Sequence, residues 1–218
     1  MKNPPVLKTR RLELRQFTQR DIAALFAIYG NKTANEFLPW FPLQDERETK
    51  HLFEEKYEDF YKNSGKYRYA VCKTGEEPIG YVHLEAKEES HDLGYALLPQ
   101  FWGQGIITEA CRAVIQQAKK DGIAYITATH DRNNPASGRV MQKLGMRYCY
   151  TYREQWQPKN ISVDFRLYQM NFTCPEKWVF SRYWEQSEVH LGYKRKKDEL
   201  RGLLAEQTED RTGDKEEL

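Results

Sequence analysis

Gly103 and Gly105 separate two stretches of different period. Before them, Leu93, Tyr95 and Leu97 alternate with smaller residues, as a strand does. Pro99 has no amide to give a ladder and ends that strand. After them, Ile106, Ile107, Ala110, Cys111, Val114, Ile115 and Ala118 share one helical face. A glycine turn that opens a helix leaves amides without acceptors, and the helix dipole adds positive potential there. Such a turn takes an anion, and phosphate suits it well. Two familiar phosphate signatures fail. A Walker loop needs Gly-Lys-Ser/Thr, whereas Ile106 and Ile107 follow Gly105. A dinucleotide fingerprint needs a third glycine where Thr108 stands. Among groups that could move protons, His83 and His91 carry the only imidazoles near this stretch, and imidazole titrates near neutral pH.

The longer string is more specific. Gln100-Phe-Trp-Gly103-Gln-Gly105 resembles the Gln/Arg-x-x-Gly-x-Gly/Ala motif of the GNAT acyl-coenzyme A N-acyltransferases. Gly94-Tyr95 through Pro99, Trp102-Gly-Gln-Gly105 and Thr108-Glu-Ala110 are similar to the RimJ/RimL-like branch of that family. Asn134-Pro-Ala-Ser137-Gly-Arg-Val140-Met-Gln-Lys143-Leu-Gly145-Met146 resembles the family segment Asn-x-x-Ser-x-x-Val-x-x-Lys-x-Gly-Phe. The resemblance runs from Leu7 to Asn171.

It implies an α/β GNAT fold: a mixed, mostly antiparallel central sheet with a V-shaped splay and helices on both faces. It implies transfer of an acetyl group from acetyl-coenzyme A to a primary amine, by direct attack in a ternary complex. The acceptor is a protein N-terminus or a small amine, and no metal is called for. The amides of Trp102, Gly103, Gln104, Gly105, Ile106 and Ile107 would hold the pyrophosphate. A backbone amide at Leu97 or Leu98 would meet the oxyanion. Thr108 adds a hydroxyl contact or serves only as a first-turn residue. Asn134 lies near the pantetheine arm or is a plain N-cap. Ser137 matches the serine that protonates the departing thiolate, although serine is also at home at that helical position for capping reasons. Many relatives place a tyrosine seven positions after the motif asparagine, and here Met141 stands there. Asp92 matches an acidic position of the branch and is the candidate base, with His83 and His91 as alternatives. Tyr148 and Glu154 could also face the groove. Trp40 and Phe41 lie where the family walls its acceptor groove, and either rim that groove or pack beneath the helices.

The elements that must position these groups follow from period and punctuation. Leu12 to Phe17 reads as a strand after a loose lead-in over residues 1–6. Thr18 and Asp21 form a capping pair for a helix whose apolar face is Ile22, Leu25, Phe26 and Tyr29, and Gly30 ends it. Pro39 and Pro42 bar a regular helix around Trp40. A second helix opens at Asp45 or Glu46, carries Leu52, Phe53, Tyr57 and Phe60, and runs to about Asn63. Tyr67–Lys73, Pro78–Ala86 and His91–Leu98 read as strands, followed by a helix over residues 106–121. Tyr125–His130 is a strand, and Asn134 with Pro135 starts a short helix that stops at Gly145. Met146–Trp156 and Ile161–Asn171 form a hairpin.

The expected domains are an acyltransferase domain over 1–171, an extension over 172–205 and a disordered tail over 206–218. Trp178, Phe180, Tyr183 and Trp184 are too aromatic for a disordered segment and should pack. Residues 194–206 suit an exposed helix. With 34 Lys+Arg against 32 Asp+Glu, the net charge of +2 gives no footprint for nucleic acid beyond Lys194-Arg-Lys-Lys197, which acidic residues flank. Cys72, Cys111, Cys149 and Cys174 are scattered and suit neither a metal site nor a disulfide framework. No long apolar run opens the chain, so a cytoplasmic protein without a membrane partner is expected, as monomer or homodimer. Two other classes compete with the enzyme: an acyl-coenzyme A sensor or scaffold without turnover, and a nucleotide- or phosphate-binding protein that shares only the glycine turn.

Overall fold

The computed structural model describes residues 4–63, 65–87 and 90–191. The chain divides into two compact units. One comprises residues 1–123 with 156–160, the other residues 124–155 with 161–218.

The first unit begins with β1 (Leu7–Lys8), a two-residue strand inside the expected lead-in, and β2 (Leu12–Arg15). A single 3-10 turn at Gln19–Asp21 leads into α1 (Ile22–Tyr29). The Thr18 amide donates to the Asp21 carboxylate at 2.7 Å, and Arg15 grips the same carboxylate at 2.8 Å. The buried stripe of α1 is Ile22, Leu25, Ile28 and Tyr29. Phe26, expected on that stripe, is 36% exposed. At a helix's 100° per residue the stripe centres between Leu25 and Tyr29, which leaves Phe26 on its flank.

The second expected helix is three pieces. α2 (Glu46–Phe53) starts at Asp45, whose side chain accepts from the Glu48 amide at 2.8 Å. A π-helical stretch follows over Glu54–Glu58, then α3 (Asp59–Lys62). The wider turn brings Phe53, Tyr57 and Tyr61 into the core, while Leu52 and Phe60 pack only at its edge.

β3 (Arg68–Lys73), β4 (Pro78–Lys87) and β5 (Ser90–Leu97) complete this unit's strands, in the spatial order β1-β2-β3-β4-β5. Every ladder among them is antiparallel. Side chains alternate between the two faces. Ala70, Cys72, Tyr81, Ala96 and Leu98 join α1 and the helices after it in one core cluster. α4 (Ile106–Lys120) packs against β4 and β5 through Ile106, Ala110, Cys111, Val114, Ile115 and Ala118, all buried.

The second unit has β6 (Tyr125–Asp131), α5 (Pro135–Lys143), β7 (Arg147–Trp156), β8 (Ile161–Asn171), α6 (Arg182–Gln186) and β9 (His190–Leu191). The strand order is β6-β8-β7-β9. β6 runs antiparallel to β8, and β9 runs antiparallel to β7 with His190 opposite Tyr152. The aromatic segment packs on this unit. Trp178 lies 4.6 Å from the Tyr125 ring, and Tyr150 donates its hydroxyl to Phe180 O at 2.8 Å. The fully buried Gln169 amide accepts from Phe180 N at 2.8 Å and donates to Trp178 O at 3.0 Å. The expected helix at 194–206, the basic run within it and the expected tail at 206–218 lie outside the described residues. Among the described residues, no helix is long and apolar enough to cross a membrane.

Candidate functional site

After β5, a short 3-10 turn over Pro99–Phe101 leads to the two glycines. Gly103 and Gly105 have φ of 74° and 72°, the left-handed region that glycine enters without strain. Gly105 is the N-cap of α4. The Trp102 amide donates to Pro99 O at 3.0 Å, so it is spent within the turn. The next amide with a backbone acceptor is that of Glu109, bonded to Gly105 O at 3.0 Å. The amides of Gly103, Gln104, Gly105, Ile106, Ile107 and Thr108 therefore stand without backbone acceptors among the described residues. A Cβ at Gly103 would meet nothing within 4 Å, so the turn is open where an anion would approach. The Thr108 side chain is buried in the first turn of α4.

A clamp from β2's approach holds the turn. The Arg11 guanidinium bonds Glu109 through Nε at 2.8 Å and Gln104 O through Nη1 at 3.1 Å. Thr9 gives its hydroxyl to Glu109 at 2.6 Å. Burial raises the pKa of the Glu109 carboxyl, but the bonds from Thr9 and Arg11 outweigh it and hold the group below its ordinary range.

On β5, the Leu98 amide donates to Ile79 O at 2.9 Å and is spent in that contact. The antiparallel register then turns the Leu97 amide toward the strand's other edge. The Trp102 indole, on a residue that is 50% exposed, donates to Leu97 O at 2.7 Å and ties the turn to the strand end. Asp92 pairs in register with Glu85, and Gly94 with His83. His91 falls on the opposite face from Asp92. His83 is buried, its Nε2 3.0 Å from the Tyr57 hydroxyl, which lies 2.8 Å from that of Tyr29. Burial first, then Lys56 and Arg68, keep its pKa well below the ordinary value.

Trp40 and Phe41 take different roles. Trp40 packs against the core cluster and donates its indole N–H to Asn35 at 3.0 Å. Phe41 is 61% exposed. Asn35, buried, also bonds Ile28 O at 2.7 Å and so fastens the connection that carries both aromatics. Two residues of this region escape a reading from motifs: Lys56 and Arg68. Lys56 follows Phe53 by three and precedes Phe60 by four, so its position on an apolar face was the available signal.

In the second unit, Asn134 caps α5 by accepting from the Ser137 amide at 3.2 Å. Ser137 is thus in the first turn of that helix, part-buried, with Met141 fully buried one turn on. Tyr148 shares a hydrogen bond with Thr151 at 2.8 Å, and Glu154 is exposed. No group of three or more His, Cys, Asp or Glu able to hold a metal occurs among the described residues.

Residues 11–147 match the family described as the acetyltransferase (GNAT) domain. The chain belongs to the GNAT acetyltransferase family. Its α/β sheet, mostly antiparallel, is the GNAT fold. YoaA of Bacillus subtilis (strain 168), described as an uncharacterized N-acetyltransferase, is 24% identical over 173 residues, which cover 76% of this chain and 96% of YoaA. A Salmonella typhimurium structure, described as an acetyl transferase that modifies the N-terminal serine of ribosomal protein L7/L12, superposes with a TM-score of 0.65 at 18% identity. That match covers 77% of this chain and 99% of the other. RimL, a ribosomal L7/L12 alpha-N-protein acetyltransferase solved with coenzyme A, gives a TM-score of 0.67 at 21% identity, over 78% of this chain and 99% of that one. The GNAT match and the RimL likeness agree with the RimJ/RimL-like motifs.

Proposed function

We propose that this chain transfers the acetyl group of acetyl-coenzyme A to a primary amine, by direct attack in a ternary complex. The observation that carries the reading is the row of six amides without backbone acceptors at the start of the fifteen-residue α4. Acetyl-coenzyme A supplies the thioester. The Gly103–Thr108 amides hold its pyrophosphate, aided by the helix dipole. The Leu97 amide takes the oxyanion role, because Leu98's is committed to Ile79. Asp92 accepts the acceptor's proton, directly or through water. That demand is modest for an N-terminal amine of pKa about 8 and larger for a lysine at about 10.4. Ser137 hands a proton to the leaving sulfur, and Asn134 steadies the pantetheine arm while capping its helix. Trp40 and Phe41 line the acceptor's side.

Calorimetric titration with acetyl-coenzyme A, beside the variants Gly103→Val and Gly105→Val, tests the grip. Release of free coenzyme A across a panel of amines tests the chemistry. Binding that disappears in folded variants, together with amine-dependent release, sustains the reading. A folded wild type that binds no acetyl-coenzyme A overturns it. A second reading, a sensor that binds acyl-coenzyme A without turnover, draws on Met141, a side chain with no proton to give. Tight binding without release toward any amine would favour it.

A further inference from the structure

Lys56 sits in the π-helical stretch, a geometry often kept where a side chain must be re-aimed. Its ammonium lies 4.4 Å from the Trp40 ring centroid and 5.1 Å from that of Tyr29. Among the described residues, no oxygen accepts a hydrogen bond from it. The carboxylate in range, Glu85, is gripped by Arg68 at 2.7 Å. Arg68 itself donates through Nη1 to the Lys56 carbonyl, and its Nε is buried without an acceptor. Cationic donors thus outnumber their acceptors in this corner. Burial, then repulsion from Arg68, lower the Lys56 pKa to about 8. A cation so placed gains most from an anion that brings its own oxygens.

The face of β4 and β5 that carries Glu85 is open at Gly94. Gly94 is exposed, stands opposite His83, and a Cβ there would meet nothing within 4 Å. Next along the same face are Asp92 and Glu85. The face therefore carries Asp92, the base of the reading above, on the sheet that borders an ammonium suited to an anion. One ammonium walled by two aromatic rings suits a singly charged, planar group; a phosphate dianion calls for more donors.

We infer that Lys56 receives a carboxylate of the acceptor, so the acceptor is a small zwitterion that carries both a primary amine and a carboxylate. This rests on the amine-acetylating reading above. It makes Lys56 a specificity residue for the acceptor, and leaves coenzyme A binding to the glycine turn.

The test compares free amino acids with their own carboxamides as acceptors, in wild type and in Lys56→Met. Wild type should prefer the carboxylate. Lys56→Met should lose about tenfold or more in kcat/KM for the carboxylate relative to the carboxamide, the scale of one charge-assisted hydrogen bond. Lys56→Arg should restore much of the preference, and Lys56→Gln replaces the Met variant if that one does not fold. Equal use of both acceptors by wild type, or an equal loss on both in the variant, overturns the inference and leaves the enzyme reading standing. If no amine is acetylated, the enzyme reading fails, and calorimetric binding of N-acetyl-alanine against its carboxamide decides the inference alone. Binding of the carboxylate by wild type and not by Lys56→Met sustains it; no binding overturns it.

Discussion

A side chain at Gly103 would find space but the wrong backbone. The φ of 74° costs an L-residue about 1–2 kcal/mol, and no neighbour within 4 Å adds a clash. Gly103→Ala should therefore fold, with a modestly lower melting temperature, and bind acetyl-coenzyme A at least several-fold more weakly by calorimetry. Ser137 makes a different claim. If its hydroxyl serves as acid, Ser137→Ala should lower kcat by about 10²-fold or more and leave acetyl-coenzyme A affinity unchanged. A kcat within about twofold of wild type would return Ser137 to its place in the cap. His83 speaks to stability. Its folded form resists protonation, because burial and two nearby cations oppose the charge. The unfolded chain takes up that proton near the ordinary pKa of about 6.5. The stabilisation is then fully present above that pH and falls as the pH drops toward the folded pKa, by up to about 1.4 kcal/mol per pH unit. Urea denaturation of wild type and His83→Asn across pH 5–7 checks this. The variant should show the shallower slope, and parallel slopes would refute it.

At the scale of elements, caps and clamps set where helices begin. Asp45→Ala removes the side chain that accepts from the Glu48 amide and should cost about 1 kcal/mol by denaturant titration. Glu109→Ala cuts the bonds from Thr9 and Arg11 that hold the turn before α4. It should weaken acetyl-coenzyme A more than it lowers the melting temperature. Elements were also where the sequence was most legible. α4 and the hairpin of β7 and β8 stand within a residue or two of their expected limits, because their apolar periods are long and sharply punctuated by Gly105, Gly122 and the 157–160 turn. The π stretch was not legible. Phe53, Tyr57 and Phe60 fit an ordinary helical period, and the extra residue in the turn shows only in which of Phe60 and Tyr61 is buried. β9 was illegible for another reason: two residues have no period, and His190–Leu191 is a strand only through its pairing with β7. At the site, the turn and α5 were readable as motifs with fixed spacing. Lys56 and Arg68 were not, since their meaning depends on rings and carboxylates far away in sequence.

At the scale of the molecule, residues 172–191 are structural members of the second unit. Val179, Phe180 and Trp184 are buried, and such side chains contribute about 1.5–3 kcal/mol each. Gln169 makes two of its side-chain hydrogen bonds with the Phe180 amide and the Trp178 carbonyl, in a place without solvent. A chain ended at Asn171 should therefore be insoluble or melt far below the full chain. Differential scanning calorimetry of that shortened chain beside the full chain checks this, and an unchanged melting temperature would refute it. The glycine turn bears on a different matter, the ways in which this protein could escape an inhibitor. A compound that offered paired phosphates to α4 would meet main-chain N–H groups, and only a change to proline deletes one of those. Substitutions other than proline at Gln104 or Ile107 would leave the same six donors in place, and the glycine positions admit only residues that strain the backbone. On the proposed reading, a change at the turn that loosened the compound would loosen acetyl-coenzyme A as well, so the part of any such ligand that touches the turn is the part least exposed to evolutionary escape.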